Sequence, residues 1–312
     1  MVNYMNNKNI LLFGSNGLVG SSVKKLFETD ENVNLIAATR NDADLFDFES
    51  TKNIIKNNNP EIIINSAAKV GGIYANNKYR TDFLLNNLKI NINILEACIG
   101  FPDIKIINLG SSCIYPLNAP NPIKETSFLD GKLEETNSPY AIAKITAIEL
   151  GKSLNLQFGN KVINLMPTNL YGPRDNFSDL NSHVIPGLLQ RIHNAKSKNE
   201  DSVDIWGSGS PLREFMYVDD LADAIKYVIS NNIEHELLNV GSGEEISIKS
   251  LAELISEIVG FNGNLIFDSS MPDGNPRKLL DSTLINNLGW SAKTSLEKGL
   301  KLTYDWYVKN IT

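Results

Sequence analysis

Short apolar runs alternate with longer amphipathic runs through the first half of the chain. The short runs are typical of buried β-strands, and the longer ones repeat their apolar residues at helical spacing. The predicted strands are Ile10–Phe13, Val33–Ala37, Glu61–Asn65, Ile104–Leu109 and Val162–Met166, and the predicted helices are Leu18–Phe27, Phe48–Lys56, Thr81–Cys98 and Tyr140–Phe158. Strands separated by helices predict an α/β fold with a doubly wound parallel sheet, in which ligands bind beyond the carboxyl ends of the strands.

The pattern loosens after Tyr171. The stretch "GPRDNFSDLNSHVIP" is typical of a loop, and helices are predicted at Ile185–Lys196, Leu221–Ile229 and Ile248–Val259. We therefore expect a Rossmann-type domain over residues 1–170. A smaller mixed α/β domain over residues 171–312 would carry the substrate site, with some of the chain crossing back to the first domain.

Composition narrows the classes of function. The 312 residues carry a formal net charge of −7 and no block dense in Lys and Arg, which argues against nucleic acid as a partner. Two cysteines and three histidines give neither a disulfide framework nor the spacing of a metal site. The polar start "MVNYMNNKN" and the short apolar run after it are unlike a signal peptide or a membrane span, so we interpret the protein as cytoplasmic.

A glycine-rich stretch, "LLFGSNGLVGSSV", places Gly14, Gly17 and Gly20 between the first predicted strand and the first predicted helix. Glycines at this spacing permit a tight turn and let the backbone approach a pyrophosphate, which the helix N-terminus attracts through its amides and its dipole. A glycine triplet alone is a weak signal, but its position at the first strand–helix junction indicates a dinucleotide site.

The end of the second predicted strand, "AATRNDAD", bears on the choice of cofactor. NAD enzymes usually carry an acidic residue there for the ribose hydroxyls, whereas NADP enzymes need a cation for the 2′-phosphate. Arg40 occupies this place and favours NADP, although the neighbouring Asp42 and Asp44 make the choice less sharp.

The stretch "SPYAIAK" separates Tyr140 from Lys144 by one helical turn, so both side chains lie on the same face. An ammonium beside a phenol favours the phenolate, and we expect it to lower the pKa of Tyr140 for acid–base work. Ser111, at the end of the preceding strand, can donate a hydrogen bond to a substrate carbonyl. Tyr74 and Lys78 share the spacing but enclose two asparagines, which are poor helix formers, so we favour the pair Tyr140 and Lys144.

Together these features resemble the extended short-chain dehydrogenase/reductase superfamily. More narrowly, "SAAKVGGIYANN", "LGSSCIYP", "MPTNLYGPRDNF", "NSHVIPGLL", "WGSGSPLREFMYVDD" and "PDGNPRKLLD" resemble the GDP-L-fucose synthase family, from Ile10 to about Trp306. The resemblance implies an NADPH-dependent enzyme that epimerises C3 and C5 of GDP-4-keto-6-deoxymannose and reduces C4. It also implies a GDP-sugar substrate and a homodimer packed through helices of the Rossmann-type, NADP-binding domain.

The resemblance also implies a role for each site residue. Ser111, Tyr140 and Lys144 would form the reductase triad, and Cys113 and His183 the epimerisation pair. Cofactor contacts would come from Gly14, Ser15, Asn16, Gly17, Leu18, Val19, Gly20, Arg40, Asn41, Asp42, Ala43, Asp44, Leu45, Leu109, Gly110, Ser111, Ser112, Lys144, Pro167, Thr168, Asn169, Leu170 and His183. GDP-sugar contacts would come from Arg191, Trp206, Arg213 and Asp273.

One departure concerns the glycine-rich loop. Members of the family carry a basic residue between the first two glycines, whereas this chain has Ser15 and Asn16. Arg40 would then bear more of the contact with the 2′-phosphate, and the preference for NADP over NAD would be weaker.

The residue types of Cys113 and His183 suit the implied chemistry. In a 4-keto sugar the hydrogens on C3 and C5 are both alpha to the ketone, and inversion needs a base on one face and an acid on the other. A thiol whose pKa a nearby cation lowers, and an imidazole, both exchange protons near neutral pH. Which of the two is the base stays open. Cys98 is interpreted as a core residue, and His193 and His235 as surface residues without a role.

Two other functions fit part of the sequence. A nucleotide-sugar 4-epimerase or 4,6-dehydratase shares the scaffold, but a dehydratase needs an acidic pair where Ser-Cys-Ile stands at residues 112–114. A non-catalytic NADP-binding sensor would keep the glycine loop without needing Ser111, Tyr140 and Lys144 together.

Overall fold

The computed structural model describes residues 7–178, 182–271 and 273–312. Strands and helices alternate in the first half: β1 (Lys8–Phe13), α1 (Leu18–Glu28), β2 (Val33–Ala38), α2 (Phe48–Asn58), β3 (Ile62–Asn65), α3 (Ile73–Lys78), α4 (Arg80–Ala97), β4 (Lys105–Leu109), α5 (Ser138–Phe158) and β5 (Lys161–Pro167). The strands and helices predicted here are confirmed to within two residues at each end. Helix α3 was not expected, because its two asparagines disfavour a helix.

The second half holds shorter strands: β6 (Asn169–Tyr171), α6 (Val184–Lys198), β7 (Ser202–Trp206), β8 (Leu212–Tyr217), α7 (Val218–Ser230), β9 (Leu237–Val240), β10 (Glu245–Ser247), α8 (Ile248–Val259), β11 (Asn264–Asp268), β12 (Arg277–Lys278), α9 (Thr283–Asn287) and α10 (Leu296–Asn310). The three helices predicted here are confirmed as α6, α7 and α8. Within the described residues, no helix has the length and apolar content needed to cross a bilayer.

Six parallel strands form the main sheet in the order β2-β1-β3-β4-β5-β9. The strand order reverses next to β1, which is where doubly wound sheets bind their ligands. Strand β8 pairs with β10, β12 and β6 in a smaller sheet, and β11 pairs with β7. The predicted fold class is therefore confirmed. The second half contributes β9 to the main sheet, and the proposed boundary at residues 170 and 171 stays a prediction.

Apolar side chains cover both faces of the main sheet. Val23 of α1 and Val228 of α7 pack on one face, and Ile94 of α4 and Leu154 of α5 on the other. Each of these side chains is almost completely buried, which stabilises the fold by about 1.5–3 kcal/mol per residue. A separate core in the second half joins α6, α8 and α10.

A row of buried asparagines crosses the main sheet near the carboxyl ends of its strands. Asn65 on β3, Asn108 on β4 and Asn164 on β5 lie side by side in the strand register. The Asn65 amide donates to Asn108 at 3.0 Å, the Asn108 amide to Asn164 at 2.9 Å, and the Asn164 amide to the carbonyl of Glu236 at 3.0 Å. This asparagine row fixes the relative positions of β3, β4 and β5, from whose carboxyl ends the site loops start.

Candidate active site

The glycine loop between β1 and α1 is closely packed. Gly14 has φ +77, and a Cβ there would lie 2.7 Å from the Ala67 nitrogen, while a Cβ at Gly20 would overlap the Gly14 carbonyl. Gly17 precedes α1 and has no side chain with which to cap the first-turn amides. Ser15 is buried and donates to the Ala38 carbonyl at 2.9 Å, which ties the loop to the end of β2. The loop therefore fits a pyrophosphate.

The loop after β2 presents Arg40 to solvent. The Asp42 carboxylate accepts hydrogen bonds from the Thr39 hydroxyl at 2.7 Å and the Thr39 amide at 2.8 Å, which lower the pKa of Asp42. Asp44 accepts from the Phe46 amide at 2.9 Å. Both carboxylates thus accept hydrogen bonds from within the loop. In the described part of the chain no side-chain partner holds the Arg40 guanidinium, which leaves it available for a phosphate.

The end of β4 brings four of the predicted catalytic residues together. The Ser111 hydroxyl accepts from the Cys113 amide at 3.3 Å at the start of a short 3-10 turn. On the facing helix α5, the Lys144 ammonium donates to the Leu109 carbonyl at 2.6 Å and lies 5.7 Å from the centre of the Tyr140 ring. The two segments meet because α5 packs on the turn after β4.

Burial reverses two of the expected pKa shifts. It raises the pKa of Tyr140, and the neighbouring Cys113 sulfur adds to this, so the expected lowering is wrong for this structure. The Lys144 ammonium points at the Leu109 carbonyl, and burial lowers the pKa of Lys144 to about 8. Burial likewise raises the pKa of the Cys113 thiol, against the influence of Lys278, Ser111 and Lys144. Desolvation therefore outweighs the nearby cations at both groups.

Lys278 and Glu134 are site residues that the sequence reasoning missed. Lys278 on β12 lies beside Arg213 on β8. Burial lowers the pKa of Lys278, and the charges of Cys113 and Glu134 oppose this shift. Glu134 is held by the Thr136 hydroxyl at 2.7 Å and by two backbone amides at 2.9 Å. The available signal was the stretch "PDGNPRKLLD", which contains Lys278.

His183 is the residue immediately before α6, and it lies against a carboxylate that was also missed. Its Nδ1 atom is 3.8 Å from Oδ1 of Asp175, in the loop after β6. Burial lowers the pKa of His183, but Asp175 and the Gly71 carbonyl raise it, and the net shift is upward. His183 therefore meets the segment after β3, the strand next to β4.

Arg191 and Trp206 form one arm of the predicted GDP-sugar site. The Arg191 guanidinium donates to the carbonyls of Gly187 at 3.2 Å and Asp204 at 3.3 Å, and lies 5.8 Å from the Trp206 ring. Trp206 keeps 49% of its surface exposed. An oriented cation beside an open indole suits a phosphate next to a planar base.

Arg213 and Asp273 form the other arm. Asp273 accepts from the Ser208 amide at 2.7 Å and the Ser208 hydroxyl at 2.8 Å, which holds the loop after β7 in place. Burial lowers the pKa of Arg213, and the charge of Asp273 opposes that shift. Arg213 is the register partner of Lys278, and the charge of Lys278 acts on Cys113. This arm is therefore next to the predicted catalytic residues.

The cofactor residues predicted after β5 are held by the second half of the chain. The Thr168 amide donates to the Val240 carbonyl at 3.0 Å, and the Asn169 side chain donates to the Glu214 carbonyl at 2.8 Å. Strand β6, which begins at Asn169, pairs with β8. The segment Pro167–Leu170 therefore links the main sheet to the smaller one.

Three residues outside the site complete the inventory of thiols and imidazoles. Cys98 is fully buried, as expected, and burial raises its pKa to about 12. His235 is exposed, as expected. His193 is not a simple surface residue: its ring nitrogen lies 3.0 Å from the Tyr304 hydroxyl, and its ring packs against Tyr307.

Similarity to known proteins agrees with this geometry. The NAD dependent epimerase/dehydratase family matches residues 10–241. The chain belongs to this family. It is 47% identical over 302 residues to a putative GDP-L-fucose synthase 2 of Arabidopsis thaliana, covering 97% of this chain and 92% of the relative. It is 44% identical over 317 residues to the GDP-L-fucose synthase of Escherichia coli (strain K12), covering 98% of each.

A solved structure gives the same result. The GDP-L-fucose synthetase from Naegleria fowleri bound to NADP superposes with a TM-score of 0.88 at 30% identity, covering 98% of this chain and 95% of that one. The resemblance to the GDP-L-fucose synthase family found in the sequence is thus confirmed over nearly the whole chain.

Proposed function

We propose that the protein converts GDP-4-keto-6-deoxymannose to GDP-L-fucose by epimerisation at C3 and C5 and NADPH-dependent reduction at C4. The observation that carries this proposal is the meeting of Ser111, Cys113, Tyr140 and Lys144 at the carboxyl end of β4. A sensor has no use for these four together. Relatives named GDP-L-fucose synthase at 44–47% identity support the same substrate.

NADP is proposed as the cofactor because the residues present fit it. Gly14 and Gly20 leave no room for a Cβ, Gly17 leaves the first-turn amides of α1 uncapped, and Arg40 stands at the end of β2. When bound, NADPH supplies the reducing equivalent for C4. The chain itself binds the pyrophosphate at the helix N-terminus and the 2′-phosphate through Arg40.

Cys113 and His183 are proposed to carry out the two epimerisations. One group removes the proton from C3 or C5, and the other returns a proton to the opposite face of the same carbon. The Ser111 and Tyr140 hydroxyls hold O4 by hydrogen bonds while negative charge develops on it, as donors in an oxyanion hole do.

Tyr140 is proposed to protonate O4 during the reduction. Burial raises the pKa of Tyr140, which keeps the phenol protonated and suits it to donate. Lys144, fixed on the Leu109 carbonyl, holds a positive charge one helical turn away, which stabilises the phenolate left behind.

We also propose a homodimer, a cytoplasmic location and the division into an NADP domain (1–170) and a substrate domain (171–312). The dimer would pack through α4 and α5, where Leu85 is 48% exposed, Ile142 45% and Leu156 85%. Sedimentation of the wild type against a Leu85→Lys variant tests this interface.

The cytoplasmic location is proposed because the chemistry needs Cys113 as a free thiol, which a reducing compartment preserves.

The first test follows both halves of the reaction in one tube. Wild-type protein with NADPH and GDP-4-keto-6-deoxymannose in D₂O should lose absorbance at 340 nm and carry deuterium at C3 and C5. Cys113→Ser should slow deuterium entry by about 10²-fold or more and leave NADPH binding unchanged. Cys98→Ser is the matched control, since that thiol is buried in the core. Deuterium entry at the parent rate in Cys113→Ser contradicts the proposed role.

The second test concerns the cofactor. Arg40→Ala should raise the KM for NADPH about tenfold or more, because a charge-assisted phosphate contact is lost, and leave the KM for NADH unchanged. Lys56→Ala removes an exposed cation at the end of α2 and serves as the control. Equal changes in the KM values for NADPH and NADH would show that Arg40 does not contact the 2′-phosphate.

A further inference from the structure

The Asp175 carboxylate is an unusual group in the loop after β6. Its side chain is only 4% exposed. Oδ1 accepts a hydrogen bond from the Asn176 amide at 2.7 Å, whereas Oδ2 is buried without a hydrogen-bond partner among the described residues. A buried carboxylate oxygen without a donor costs free energy, so a structural role alone does not account for an acid here.

The neighbour of this carboxylate is the imidazole of His183. Nδ1 of His183 lies 3.8 Å from Oδ1 of Asp175, which is an ion-pair distance and longer than a hydrogen bond. The His183 side chain keeps 43% of its surface exposed, so the ring is held from one side and open on another. Catalytic pairs are often this long before substrate binds.

Two acceptors lie beside the His183 ring. Within the described residues, the groups that raise the pKa of His183 are the Asp175 carboxylate and the Gly71 carbonyl, and burial acts against them. Neutral imidazole has one N–H and one lone pair, whereas imidazolium has two N–H groups. Two acceptors beside the ring match the two N–H groups of the imidazolium form.

We propose that Asp175 is the positioning residue of His183, orienting its ring and holding it as the imidazolium that donates a proton during epimerisation. This inference rests on the proposed function. The Cys113 thiol first gives its proton to solvent, a loss that the Lys278 and Lys144 charges favour and burial opposes. The resulting thiolate takes the proton from C3 or C5, which gives a thiol and an enolate. The imidazolium gives its proton to the opposite face of that carbon, which gives the inverted ketone and neutral imidazole. Proton exchange with water restores both groups, so atoms and charge balance.

The first test needs no substrate. The chain has three histidines, so ring proton signals in NMR can be followed separately as pH is varied. The His183 midpoint should lie above that of His193 in the wild type, because the pKa of His183 is raised and that of His193 is lowered, and it should fall by about one pH unit in Asp175→Asn. The His193 midpoint should not move. A wild-type His183 midpoint at or below that of His193, or no fall in Asp175→Asn, overturns the proposal.

A matched control separates this pair from surface charge. Glu200→Gln removes the carboxylate of the Lys198–Glu200 pair, which has a similar 3.9 Å separation but an exposed acid. This variant should leave the His183 midpoint unchanged. A fall equal to that in Asp175→Asn would show that the shift comes from net charge and not from the pair, and would overturn the proposal. Asp175→Glu keeps the charge and should retain the raised midpoint, which also covers the case in which the asparagine variant fails to fold.

The second test measures the chemistry. In Asp175→Asn, deuterium entry at C3 and C5 should fall about tenfold or more, and NADPH oxidation should fall less. The product should shift toward sugar reduced at C4 without inversion, and Asp175→Glu should restore the parent product. Unchanged deuterium entry despite a lowered midpoint overturns the catalytic part of the proposal. If the wild type never turns over the GDP-sugar but the titration behaves as expected, the proposed function fails and the pairing stands.

Discussion

Tyr140 and Lys144 share their spacing with Tyr74 and Lys78, yet the two pairs lie in opposite environments. Lys144 is 2% exposed, donates to the Leu109 carbonyl, and burial lowers its pKa to about 8. Lys78 is exposed at the end of α3, where its ammonium lies 3.3 Å from the Tyr74 hydroxyl. That hydrogen bond, with the charges of neighbouring tyrosines, raises the pKa of Lys78.

The comparison separates what spacing determines from what burial determines. Four residues apart on a helix puts a phenol and an ammonium on one face in both places. At the surface, water screens the pair and little chemistry follows. Beside the end of β4, the same pair is desolvated and next to the Ser111–Cys113 turn, where its protons can reach a ligand.

The largest expected effect comes from removing the Tyr140 hydroxyl. Tyr140→Phe should reduce NADPH oxidation with the GDP-sugar by about 10²–10⁴-fold, because O4 loses its proton donor. Tyr74→Phe should leave the rate unchanged. The decrease in absorbance at 340 nm measures both rates. Parent activity in Tyr140→Phe would show that the phenol does not take part in the reaction.

The next effect concerns the two ammonium groups. Lys144→Met should lower kcat by about 10²-fold, since the phenolate loses its nearby charge and the Leu109 carbonyl its donor. Lys78→Met should change neither kcat nor the melting temperature measurably, as expected for an exposed pair. Equal losses in the two variants would show that burial does not distinguish them.

The smallest effect is on stability as pH changes. Because the pKa of Lys144 is about 8 in the folded chain and ordinarily 10.5, the unfolded chain binds more protons between these two pH values. Stability contributed by this site therefore rises as pH increases from about 8 to 10.5. Denaturation of the wild type against Lys144→Met should show a relative gain of at most about 3 kcal/mol over this window. A relative loss would contradict the assigned shift.

The main-sheet strands and most helices were predictable because their apolar periodicity is local. The glycine loop and the Tyr140–Lys144 pair were predictable for the same reason: each motif lies within a few residues. Lys278 was not, since it reaches Cys113 through a two-residue strand paired with β8. Asp175 was not, since its relation to His183 depends on how a loop closes. The directions of the pKa shifts at Tyr140 and Cys113 were predicted wrongly, because desolvation is set by tertiary packing.

The asparagine row has a consequence for how this scaffold tolerates change. Donation runs one way, from Asn65 through Asn108 to Asn164, so the middle amide has one row neighbour as its donor and the other as its acceptor. An aspartate at the middle position has no side-chain N–H to donate to Asn164, and a leucine also removes the acceptor that Asn108 offers to Asn65. A single replacement is therefore felt at three strands at once. Substitutions that change the substrate or the reaction should therefore destabilise the fold less in the loops beyond the strand ends than in the asparagine row.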